Sequence, residues 1–163
     1  MIVEMSPLLF VHIALSLVGI ASGLVVLHGL LTGSPHGGWT AVFLATTVLT
    51  SVTGFPLPAT QLLPSHIVGV LSLVLLAVAI VALYGYHLAG AWRWIYVLTA
   101  LISLYLNVFV LVIQSFLKVP ALHALAPSVP PAEPPFAVAQ GIVLVFFVIV
   151  IIGVIRRYRP AYA

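Results

Sequence analysis

Apolar residues in this chain run in long blocks with no polar face of ordinary width. Four blocks reach the roughly 20 residues that a helix needs to cross a hydrocarbon core: Leu8–Leu31, His66–Leu88, Trp92–Leu117 and Phe136–Ile155. A fifth, Trp39–Phe55, is shorter and rich in threonine. Gly37, Gly38, Gly54, Pro56 and Pro58 bound it, and stop signals of this kind make it a separate element. The pattern predicts an all-α, polytopic transmembrane bundle of five spans in a single domain, 1–163. The alternative is four spans plus a short re-entrant helix over 39–55.

The few polar residues inside these blocks are not scattered. On a helical projection Asn107, Gln114 and Lys118 lie within about 20° of one line, and Tyr96 and Ser103 join them within about 40°. In the first block His12, Ser16, Gly19 and Gly23 share one face, and Gly19-xxx-Gly23 lets helix backbones approach closely. Thr46, Thr50 and Thr53 form a third stripe, widened by Thr47 and Ser51. A polar stripe in lipid is costly unless it faces protein or water, so all three stripes are expected to point inward.

Depth can be counted from the rise along a helix. His12 falls roughly 8 Å below Pro7, His66 about 3 Å below Pro64, Gln114 about 5 Å below Leu117 and Gln140 about 6 Å below Phe136. Asn107 is about 15 Å down, near the midplane. Four polar residues from four helices are therefore expected at one level, in a pocket under the outer surface. Lys118 and His123 are placed to close over it. The segment from Val119 to Pro135 contains Pro120, Pro127, Pro130, Pro131, Pro134 and Pro135, which predicts a stiff, extended outer loop.

Composition agrees with the pattern. Hydrophobic residues make up 64% and charged residues 4%, with a mean hydropathy of +1.35; a soluble domain is about one quarter charged. Three of the five basic residues, Arg156, Arg157 and Arg159, sit at the C-terminal stop, so the net charge of +3 carries no nucleic-acid signal. With five spans, Arg93 shares that side, which makes it cytoplasmic and puts the N-terminus outside. Trp39, Trp92, Trp94 and Tyr96 then anchor the inner interface, near His28, His36 and His87. The first apolar run is too long for a cleaved signal peptide.

Candidate chemistry is sparse. The absence of cysteine removes disulfides, thiolate catalysis and Cys-ligated metal centres. No GxSxG and no buried acid to orient a histidine support hydrolysis. Two b-type haems are opposed by phase, because His12 and His28 face about 160° apart. A single haem between His12 and His66 stays open. So does a quinone on the loose Leu8-xxx-His12 pattern, and a metal on His12, His66 and His123. The ligand-binding candidates are His12, His66, Asn107, Gln114, Lys118, His123 and Gln140. No carboxylate lies in mid-membrane, which argues against an ion-coupled pump. Three readings follow: an accessory or scaffold membrane protein, a binder of a small cofactor or ligand, and an oligomeric permease for a neutral solute. The expected partners are the lipid bilayer and a second copy or another membrane protein.

The block "GAWRWIYVLTALISLYLNVFVLVIQSFLKVPALHALAP" with "EPPF" beyond it covers Gly90–Phe136. It resembles a family of small multi-span bacterial inner-membrane proteins with no known activity. The resemblance implies a bacterial inner membrane and a multi-span helical fold, and it implies no functional residue.

Overall fold

The computed structural model describes residues 7–34, 37–56 and 64–157. These form six helices and, among the described residues, no strand: α1 (Pro7–Thr32), α2 (Gly37–Gly54), α3 (Pro64–Ile80), α4 (Trp92–Lys118), α5 (Pro120–Leu125) and α6 (Pro134–Arg157). Four stretches are long and apolar enough to cross a membrane: α1, His66–Gly85, α4 and α6. α2, with 18 residues and its threonines, is not among them.

Sequence punctuation sets the ends. α1 stops at Gly33, whose positive φ of 72° suits a residue without a Cβ, and Ser34 N–H closes back onto the Gly29 carbonyl. α3 continues as one π turn, Val81–Gly85, and the Leu88 N–H then reaches the Ala82 carbonyl. This ends the third span at Gly85 rather than at Leu88. Proline acts differently from the sequence expectation after α4. Pro120 opens a short helix, because a first-turn residue needs no amide hydrogen. His123 therefore rides on α5 and not on an extended strap. Pro134 likewise starts α6 two residues early.

Successive long helices run antiparallel, as their contacts show. Along α1 and α2, His12 lies beside Thr53 and Gly54, Gly19 beside Thr46 and Thr47, and Gly23 beside Phe43. Along α4 and α6, Phe116 packs edge-on against Phe136 at 5.5 Å and Tyr105 against Phe147 at 5.5 Å. α4 is the central helix: it touches α1, α2, α3, α5 and α6, and it buries Tyr96, Ala100, Ser103, Leu104 and Asn107 along one side. The inward stripe predicted from the sequence is thus present from Tyr96 to Asn107. Tyr96, expected as an interfacial anchor, is 3% exposed because it belongs to that stripe.

The apolar core gathers at the Trp92 end of α4. It contains Val26, Leu27 and Leu30 of α1, Phe43 and Leu44 of α2, Leu76 and Ala79 of α3, Val97, Leu101 and Leu104 of α4, and Phe147 and Val154 of α6. The outward surfaces are apolar too; α6 buries only Phe147 and Val154 and exposes Ile142, Val145 and Ile149. Lipid tails are as apolar as leucine, so such faces need no protein cover in a bilayer.

Candidate functional site

Above this core, three helices bring polar groups together. His12 meets α2 because Gly54 leaves room: a Cβ there would lie 3.2 Å from the imidazole Cε1. His12 Nδ1 is 3.0 Å from Thr53 Oγ1. The Thr53 hydroxyl is also 2.7 Å from the Leu49 carbonyl, to which it donates.

One turn further along α1, Ser16 donates to Asn107 Oδ1 at 3.0 Å. This bond turns the Asn107 amide nitrogen towards Gly19. A Cβ on Gly19 would stand 3.1 Å from Thr47 Oγ1, 3.3 Å from Asn107 Nδ2 and 3.3 Å from Thr46 Oγ1. Glycine is what allows α2 and α4 to present polar atoms to the same spot on α1. Thr46 is satisfied by the Val42 carbonyl. Thr47 Oγ1 and Asn107 Nδ2 are buried with no hydrogen-bond partner, and their residues are only 2% and 9% exposed. Buried polar groups are rarely left so; these two are donors aimed at one place.

Other hydroxyls in the spans turn back on their own helices. Thr50, Ser51, Thr99, Ser103 and Ser115 each donate to the carbonyl four residues earlier. That is the ordinary arrangement for serine and threonine in a helix.

The other sequence candidates do not join this cluster. Gln140 donates to the Phe109 carbonyl at 3.0 Å, a contact between α6 and α4. His66 packs with its ring centre 6.1 Å from Phe55. Gln114 is half-buried on α4 and Lys118 is exposed at its end. No hydrogen bond among the described residues joins any two of His12, His66, Gln114 and Gln140. Among the described residues, no three His, Asp or Glu side chains lie close enough to hold a metal ion, so His12, His66 and His123 are not gathered. His36, Glu4 and Arg159 lie outside the described residues.

The residues that sequence reasoning left off its candidate list are Ser16, Thr47 and Thr53. Each stood on a stripe already recognised as inward, but nothing in the stripes said which faces would meet. On the loop, Glu133 is engaged locally: its carboxylate accepts from the Ser128 hydroxyl, from Ser128 N–H at 3.1 Å and from Ala132 N–H at 3.2 Å. The Ser128 hydroxyl, foremost among these, holds the carboxyl below its ordinary range.

Fold and cluster together define an all-helical protein with four helices of membrane-crossing length and a small polar centre shared by α1, α2 and α4. Family models, curated proteins and solved structures offer no match to the chain.

Proposed function

We propose that this chain is a bacterial inner-membrane protein of five crossings, with its N-terminus outside and its C-terminus cytoplasmic. It serves as an accessory or scaffold subunit for a second copy or another membrane protein, and it is not a catalyst. The observation that carries this reading is how the interior polar groups are used. His12–Thr53, Ser16–Asn107 and Gln140–Phe109 each tie one helix to another. Such bonds hold a bundle together where lipid offers helices no hydrophobic drive to associate.

The fifth crossing is supported by α2. Its exposed face, Ala41, Val42, Ala45, Leu49 and Val52, is apolar from end to end, and Thr40, Thr47 and Thr50 are buried. At 1.5 Å per residue its 18 residues span about 27 Å, close to the hydrocarbon thickness. Thr40, Thr47 and Thr50 lower its mean hydropathy while buried against the other helices. The chain has no cysteine, so single cysteines placed at Ser34 and Gly90 can be probed with a membrane-impermeant maleimide. Five crossings put both on the same, cytoplasmic side; four crossings put them on opposite sides and end this topology.

A second reading, a binder of a small ligand, is favoured by the unpartnered Asn107 Nδ2 and Thr47 Oγ1. An absorption spectrum, quinone extraction and metal analysis on gently purified protein separate the two. A Soret band, a bound quinone or stoichiometric metal selects the binder, and a colourless, ligand-free bundle selects the scaffold.

A further inference from the structure

The positive charges raise a separate question. Tyr105–Phe147 and Phe116–Phe136 fix the antiparallel register of α4 and α6. Arg93 lies 12 residues before Tyr105, and Arg157 lies 10 after Phe147. Both are therefore about 15–18 Å along the axis from that pair, on the same level. Arg93, Arg156 and Arg157 thus share one end of the bundle. The described carboxylate, Glu133, is at the other end, beyond Lys118.

Aromatic side chains surround that end. Trp39, Tyr84 and Tyr86 are each about half exposed, and Tyr86 stacks on Trp92 at 4.2 Å with an interplanar angle of 4°. Indole and phenol rings prefer the level of lipid headgroups. The Arg93 guanidinium carbon sits 4.2 Å over the Trp94 ring. This stacking holds the fork in place, yet its Nε is buried with no hydrogen-bond partner. The guanidinium is thus positioned at headgroup level by Trp94, and among the described residues that end offers it no carboxylate.

We propose that Arg93, seated on Trp94, with Arg156 and Arg157 across from it, binds the phosphate of an anionic phospholipid. The ligand chemistry is a phosphodiester on a lipid headgroup. Two parallel N–H donors of a guanidinium match two phosphate oxygens, which an ammonium cannot reproduce. Exposed Arg156 and Arg157 add attraction that is general for basic residues near an anionic leaflet. The site needs α4 and α6 to cross a bilayer and is indifferent to whether α2 does, so it stands apart from the five-crossing topology.

The test uses the full chain in nanodiscs of mixed phosphatidylcholine and phosphatidylglycerol, followed by gentle extraction and native mass spectrometry of retained lipid. Wild type is expected to retain phosphatidylglycerol over phosphatidylcholine by about fivefold or more, most of it through the Arg93 fork. R93Q and R93K should both lose most of that preference while keeping wild-type helicity by circular dichroism. R156Q/R157Q should reduce it in part, and it serves as the readout if the Arg93 variants fail to fold. Equal retention of the two lipids overturns the proposal. So does an R93K variant that behaves as wild type, since diffuse charge then suffices without a formed site. Release of the retained lipid by inorganic phosphate at modest concentration would assign the site to free phosphate instead.

Discussion

Adding one carbon at Gly23 probes the junction of α1, α2 and α4 in a single step. A Cβ there would lie 2.6 Å from Leu104 Cδ1 and 3.0 Å from two ring carbons of Phe43. Carbon atoms rest about 3.5–4.0 Å apart, so α1 must draw back by roughly 1 Å or its neighbours must move. Neither neighbour has room, since Leu104 and Phe43 are both 0% exposed. Overpacking of this kind costs about 1–3 kcal/mol, and G23A is expected to fall in that range. The loss should also reach the Ser16–Asn107 bond two turns away on the same face. Unfolding by detergent titration, followed by circular dichroism, measures it. G141A is the control, because a Cβ at Gly141 meets nothing within 4 Å, and it should be neutral or slightly stabilising. Removing the obstruction supplies a second check: G23A/L104A should be less destabilised than the sum of the single variants. If G23A matches both wild type and G141A within about 0.5 kcal/mol, the close approach of the three helices is refuted.

Other consequences are simpler. N107L removes the acceptor of Ser16 and also the unpartnered Nδ2, so its net cost should stay near the average of about 0.6 kcal/mol for intramembrane hydrogen bonds. A loss several times larger, by the same titration, would mean that Asn107 holds something besides Ser16. H12A should cost a similar amount through Thr53 and leave any ligand content unchanged under the scaffold reading; loss of a bound chromophore or quinone in H12A would contradict it. The Glu133 carboxyl is held low in the folded loop, so its contribution is complete above the ordinary value of 4.5 and disappears as pH falls through the depressed one. Amide exchange at Ser128 and Ala132 should accelerate in that acidic window in wild type and show no such step in E133Q; identical profiles would contradict the assignment.

What the sequence determined by itself was the long dimension of each element. Apolar block length located the four long spans to within a few residues. The 3.6-residue period showed that Asn107, Ser103 and Tyr96 look inward, because a polar group has no other cheap direction in lipid. None of these quantities says which helix stands beside which, or how far each turns about its axis. That was decided by tertiary packing. Gly19, Gly23 and Gly54 removed side-chain bulk along the α1–α2 seam, so α2 approaches α1 closely, and His12 found Thr53 instead of His66 or Gln114. Asn107 went to Ser16, and Gln140 to a backbone carbonyl of α4. A hydrogen bond reaches about 3 Å, while neighbouring helix axes lie 8–10 Å apart. Equal depth alone therefore does not choose hydrogen-bond partners, and adjacency had to come from the fold.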